Sequence, residues 1–349
     1  MLIYWTLFLV LAIGALLNSD GGLRRSRPAL LLLAALPTLL MIGLRWKIGP
    51  DWASYKAIYE STHLFDFSQA ITHADAGFYT LNWGLSELNA PFWVLNFVCG
   101  VVFTVGLTAF CGRQPNPWLA FLVAFPYLVI VIAMSALRQS VALGFLFLAL
   151  NAYEAGKLNR FLVLGLIAAA FHGSALLMIP LCLLSYSKSN LQRVILLIIG
   201  LGLGYYFFQD VFSHYARRYT TEKMQSGGTA YRLAMNSLAA VIFLAVGRRF
   251  AVPPHVAALW RNVSLCTLAF ALALALAPSS TALDRLLLYF FPLQFFVLSR
   301  VPQLVRQDRQ VAGQATLVVA AYAALVQIVF LSFGTFATSY VPYRTIFGA

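Results

Sequence analysis

Apolar residues run in long uninterrupted blocks separated by short polar breaks, the pattern of helices that are apolar all round. The blocks cover roughly 2–17, 28–44, 91–110, 118–134, 137–155, 158–171, 174–186, 191–208, 230–247, 259–277, 285–300 and 314–333. An outer-membrane barrel would alternate apolar and polar residues instead. Two connections are long, 45–90 and 209–229. The first holds two amphipathic stretches, Asp51 to Glu60 and Gly77 to Leu88. Both predict helices lying in the membrane interface. The expected fold class is all-α: a polytopic transmembrane helical bundle of about 12 spans, with interfacial helices in an external loop 45–90. The whole chain, 1–349, reads as one integral membrane domain. The first block begins at Leu2 with no positive segment before it, so it predicts a first span rather than a cleaved leader.

Blocks 158–171 and 174–186 are short. Fourteen residues reach about 21 Å as a helix, against about 30 Å of hydrocarbon. They form either a hairpin turning at His172 or one long span with His172 at mid-bilayer. The polar turn Phe171-His172-Gly173-Ser174 favours the hairpin, because a histidine at mid-bilayer would need partners.

Composition sharpens the class. Apolar residues make up 61% of the chain and charged residues 10%, where a soluble domain has about 45–50% and about 25%. A cytosolic enzyme, a secreted domain and a disordered tail are excluded. The four cysteines lie far apart, with no CxxC and no metal-ligand spacing, so neither a disulfide nor a zinc site is expected. A net charge of +13 would suggest nucleic acid in a soluble protein. In a membrane protein it is first sorted by side. The short basic loop Arg24, Arg25, Arg27 sets the cytoplasmic side, and both termini then fall outside. Fourteen basic residues and three acids lie inside, a net +11; ten basic residues and eight acids lie outside.

External arginines at span ends run against that rule. They are Arg45, Arg138, Arg217, Arg218, Arg232, Arg285 and Arg344. Snorkelling or a local ion pair explains a single one. Seven on the disfavoured side point to function, since guanidinium groups bind phosphate and diphosphate bidentately. His172 is the only histidine inside an apolar stretch. Asp51 follows Arg45 by six residues and sits where a helix N-cap belongs. Asp284 directly precedes Arg285, and Tyr340 and Tyr343 precede Arg344 in an aromatic, basic tail. There is no P-loop, no GxGxxG, no HExxH and no DxD-type loop by the first spans. The cytoplasmic loops are short and chemically plain. Any chemistry therefore sits on the outer face or within the membrane, on a lipid-linked substrate whose head group carries phosphate.

The order of these motifs is specific. Arg45…Gly49-Pro50-Asp51…Tyr55 is followed by Arg138-Gln139 opening a span, then by Lys157…Arg160 and His172-x-Ser174. Asp284-Arg285…Tyr289 and the terminal Tyr340-x-Pro-Tyr343 complete the set. This order resembles the EpsG-like family, grouped with the Wzy-type polymerases of bacterial O-antigen, capsule and exopolysaccharide, over nearly the whole chain. Pro50, between Gly49 and Asp51, departs from the expected Gly-Asp pair. The resemblance implies a multi-pass protein of the bacterial inner membrane. It implies a glycosyltransferase that joins undecaprenyl-diphosphate-linked repeat units at the periplasmic face. Its partners would be those glycans, the bilayer and a separate chain-length regulator, with no nucleic acid, no cofactor and no metal.

On that reading, Arg45, Arg138, Arg232, Arg285 and Arg344 hold the diphosphate and stabilise it as it leaves. His172, Asp51 and Asp284 are the candidates for the general base that activates the acceptor hydroxyl. Tyr55, Tyr340 and Tyr343 would contact sugar or lipid, as would Trp46 and Trp52. Two rival functions share these features: an O-antigen ligase or other lipid-phosphosugar transferase, and a flippase for lipid-linked oligosaccharides. A flippase would line its path with cations in both leaflets, whereas here they gather at one.

Overall fold

The computed structural model describes residues 1–19, 27–187, 189–218, 228–276, 287–305 and 308–348. Among them there is no strand, and the one bridge pairs Arg45 with Thr345. The helices are α1 Leu2–Leu17, α2 Arg27–Gly43, α3 Trp52–Thr62, α4 Phe67–Thr72, α5 Ala76–Glu87, α6 Phe92–Gly112, α7 Pro117–Ala124, α8 Leu137–Glu154, α9 Leu158–Phe171, α10 Met178–Tyr186, α11 Asn190–Arg218, α12 Thr229–Val246, α13 Pro254–Leu276, α14 Pro292–Leu298 and α15 Arg309–Phe333. A π-helix, Phe125–Ala133, continues α7, and a 3-10 turn, Gly173–Leu177, leads into α10. Among the described residues, five stretches are long and apolar enough to cross a membrane: Phe92–Gly112, Thr229–Arg249, Pro254–Leu272, Leu288–Val305 and Arg309–Phe333.

The helix ends follow local chemistry. Asn116 caps α7 by accepting from the Leu119 N–H, with Pro117 in the first turn. Asp66 and Gln69 form a reciprocal capping box on α4. Asp308 caps α15. The two helices expected in 45–90 are present as α3 and α5, with α4 between them.

Between helices, small residues do the packing work. Gly106 of α6 and Gly144 of α8 meet so closely that a Cβ on either would run into the other backbone. That is the close crossing small residues allow where lipid supplies no hydrophobic drive between helices. A buried polar chain joins α12, α14 and α15. The Gln294 amide donates to Asn236 Oδ1 at 2.7 Å, Tyr322 donates to Gln294 Oε1 at 3.1 Å, and Asn236 donates to the Leu287 carbonyl at 3.1 Å.

The ambiguous stretch 158–186 is a hairpin. His172 is extended (φ −156°, ψ 111°) and ends α9. The Ile179 side chain then packs at 3.2 Å from the Cβ position of Gly165, fourteen residues back on the other arm. A continuous helix would hold those two residues about 21 Å apart. His172 therefore sits at a bundle end. At the opposite end, Asn18 donates to Asn116, Arg300 bonds Gln114, and Tyr153 donates to the His255 carbonyl.

Candidate functional site

At the His172 end, the path from α7 into α8 is interrupted. The π-helix stops at Ala133, and α8 starts at Leu137. The helical path breaks at Ala136, and the residues on either side of it, Ser135 and Arg138, are each gripped by an aspartate. Asp51 and Asp75 occupy the N-cap positions of α3 and α5, yet neither side chain caps its own helix. Asp51 Oδ2 instead accepts from Ser135 Oγ at 2.7 Å, and Asp75 Oδ2 accepts from Arg138 Nη1 at 2.5 Å. Giving up a cap costs about 0.5–2 kcal/mol, so these contacts are what the interfacial helices are placed to make.

The Asp75 contact is the centre of a larger cluster. Its other oxygen lies 3.9 Å from His172 Nδ1, and Gln139 Nε2 lies 3.3 Å from His172 Nε2. Arg138 Cζ sits 5.9 Å from the Tyr55 ring centroid. The Tyr289 ring stacks over His172 at 6.4 Å. The Asp75 and His172 side chains are only 13% and 15% exposed, and that of Arg138 is 32% exposed. Burial pushes the Tyr55 hydroxyl upward, with Arg138 opposing. Gly77 lets α5 come this close: its Cβ position is 3.1 Å from the Ala170 carbonyl and the Phe171 ring. A carboxylate flanked by a guanidinium and an imidazole, beside a second hydrogen-bonding amide, can bind a hydroxyl and accept its proton.

The other candidates lie elsewhere at this end. Arg45 is 1% exposed and donates to the Ile42 carbonyl. Burial pushes its guanidinium down to about 10, with Cys99, Tyr343, Tyr340 and Tyr4 opposing, so it stays charged at neutral pH. Tyr340 is equally buried; its hydroxyl donates to the Val131 carbonyl at 3.2 Å, and its own carbonyl accepts from Tyr4. The Tyr343 hydroxyl donates to the Met41 carbonyl at 2.8 Å. The exposed Arg344 is held through its backbone, which accepts from the Trp46 N–H. The Gly49 N–H bonds the Ser339 carbonyl, and Gly49 adopts φ +92° while pressed on the Met134 carbonyl. The C-terminal tail thus straps the 44–49 turn against the break before α8. Arg232 stands apart on α12, bonded to Thr229 and 5.9 Å from the Tyr127 ring. Asp284 and Arg285 lie outside the described residues, as do the side chains of Arg217 and Arg218.

This arrangement brings together, in space, several of the motifs that lie far apart along the sequence, and the EpsG family model matches residues 29–345. The chain belongs to the EpsG family. No curated protein and no solved structure matches it. Within this EpsG-family chain, the ordered motifs separate into two groups. Arg138, Gln139, His172 and Tyr289 surround Asp75, while Arg45, Gly49, Asp51, Tyr340 and Tyr343 meet at the strap. Asp75 itself is not singled out by sequence reasoning. Its one signal is position: an acid before Ala76-Gly77 at the start of the second helix expected in 45–90. Among the described residues, no group of three or more His, Cys, Asp or Glu stands ready to hold a metal ion.

Proposed function

We propose that this EpsG-family protein is a glycosyltransferase of the bacterial inner membrane. It crosses the bilayer about twelve times and polymerises undecaprenyl-diphosphate-linked oligosaccharide repeat units at the periplasmic face. The observation that carries the reading is the Arg138–Asp75–His172 cluster at one end of an apolar bundle. In the reaction, the acceptor hydroxyl oxygen bonds to the anomeric carbon of the donor glycan while the bond from that carbon to the diphosphate oxygen breaks. His172 takes the hydroxyl proton, and Asp75 orients the ring and stabilises the imidazolium. The departing diphosphate gathers negative charge. Arg138 meets it, joined by Arg232, Arg285 and Arg344. Tyr55 supports Arg138 and borders the glycan path. Arg45, Asp51, Tyr340 and Tyr343 hold the strap that fixes the break, so their part is indirect.

The test is turnover of purified protein on undecaprenyl-diphosphate-linked repeat units as the sole substrate. The wild type yields a ladder of products, and Arg138→Ala yields none at matched membrane insertion. Transfer of a single unit to lipid A, without a ladder, would make the protein a ligase. Normal polymer length and amount from Arg138→Ala would overturn the diphosphate role.

A further inference from the structure

Behind His172 the bundle opens into a crevice of about 400 Å³, within the roughly 300–1,000 Å³ of small-molecule pockets. Its walls are almost wholly apolar, with Leu177, Leu181 and Leu184 on one side and Leu196, Leu197 and Leu201 of α11 on the other. It follows α10 from Ser174 to Leu184, about 15 Å at helical rise, or about half the hydrocarbon thickness. The outer face of α11 is itself exposed and apolar at Leu191, Val194 and Ile198, so the crevice opens toward lipid.

One end of the crevice is polar. Ser174 and Tyr289 both line it, at 7% and 1% exposure, and their hydroxyls lie against each other with no other hydrogen-bond partner. Two hydroxyls that share one hydrogen bond leave one O–H without an acceptor, and a buried hydroxyl hydrogen left unpaired is costly. It also adjoins the cluster: Ser174 is two residues from His172, and Tyr289 stacks on the His172 ring. The occupant that fits is a long apolar chain that ends in an acceptor oxygen next to the His172 cluster.

We infer that this crevice holds the first isoprenoid units of the polyprenyl diphosphate donor, with diphosphate oxygens accepting from Ser174 and Tyr289. This rests on the glycosyl-transfer reading above. The crevice sets the depth of the donor in the membrane and so places its anomeric carbon level with His172. Donor recognition then depends on the lipid as well as on the glycan.

The experiment uses full-length protein in nanodiscs, with p-benzoylphenylalanine replacing Leu197 or, as a lipid-facing control, Val318. The probe is undecaprenyl diphosphate without glycan, against an excess of phosphatidylglycerol. Irradiation is expected to give an undecaprenyl diphosphate adduct at 197 about tenfold above that at 318, the ratio for 1.4 kcal/mol of preference. Equal labelling at both positions, or phosphatidylglycerol adducts alone, would overturn the proposal. A second measurement fills the crevice with Leu197→Trp. The KM for a full-length polyprenyl donor should rise about tenfold with kcat kept, while a donor with two isoprene units is unaffected. A change for both donors, or for neither, would also overturn it. The crosslink needs no turnover. Labelling in a protein that makes no polymer would therefore sink the transferase reading alone, and polymerisation without labelling would sink the crevice alone.

Discussion

Asp75 Oδ2 is 2.5 Å from Arg138 Nη1, while its other oxygen lies 3.9 Å from His172 Nδ1. One carboxylate thus joins three elements, α5, the start of α8 and the end of α9. Its charge balances the guanidinium and faces the imidazole together. Replacing Asp75 with Asn keeps the shape and removes the charge. Turnover should fall by about 10²–10⁴, the usual contribution of positioned acid–base groups, with thermal stability near that of the wild type. His172→Ala should fall as far, and the double variant no further than either alone, because the pair acts as a unit. Additive losses in a lipid-linked repeat-unit assay would show that the two residues act separately.

The apolar blocks were legible because each helix in lipid must satisfy its own backbone groups. The ends of α1, α8 and α9 fall within a residue of the boundaries read from hydropathy. The hairpin at His172 was legible from its polar turn, but proof needed Ile179 lying back on Gly165. The site was less legible. Arg138 and His172 stand out as polar residues at span ends, whereas Asp75 sits among loop acids and gains its meaning only from what lies across from it. Asp51 resembled an N-cap in sequence, yet its side chain turns away to Ser135. Arg45 looked like a substrate arginine because it is external and basic; the strap that encloses it is made of residues about three hundred positions further on. Contacts that distant leave no periodicity for a sequence to display.

Gly77 tests how narrowly the cluster is placed. A Cβ there is 3.1 Å from α9 backbone and from the Phe171 ring. Gly77→Val should push α5 outward, lengthening the reach from Asp75 to His172, and cost about 1–3 kcal/mol through overpacking. kcat should fall more than tenfold, since misplacement by about 1 Å can cost about a hundredfold. Gly77→Ser should show a smaller drop in the same direction. Full activity in Gly77→Val would mean that the Asp75–His172 approach is not used.

Tyr343 gives the strap an alkaline signature. Burial pushes its hydroxyl from 10.0 up to about 12, with Arg45 opposing. The folded state therefore keeps this proton where the unfolded chain has lost it. The resulting stability is complete below pH 10 and is lost as pH rises from 10 to about 12. Tyr340 and Tyr55 are shifted the same way by burial and add to the decline. Melting curves in detergent should show a Tm that drops over this window, and Tyr343→Phe should make the drop shallower while lowering Tm at pH 7. An identical alkaline slope in Tyr343→Phe would remove Tyr343 as a contributor.

Asp51 and Asp75 separate support from chemistry. Both sit at helix N-cap positions and both bond the region around the break, but Asp51 meets a serine hydroxyl and Asp75 meets Arg138 and His172. Asp51 bonds Ser135, whose side chain is buried among the strap residues, so its loss loosens that joint by about the 1 kcal/mol of an ordinary hydrogen bond. Asp51→Asn should lower Tm by a few degrees, consistent with such a loss, and leave turnover within about threefold of wild type. Ser135→Ala should do the same, and the two together should add little, since they remove one contact between them. The comparison is sharpest at saturating donor, where a general base shows in kcat and a support residue does not. A kcat loss in Asp51→Asn as large as that in Asp75→Asn, without a matching change in Ser135→Ala, would move the base from His172 to Asp51.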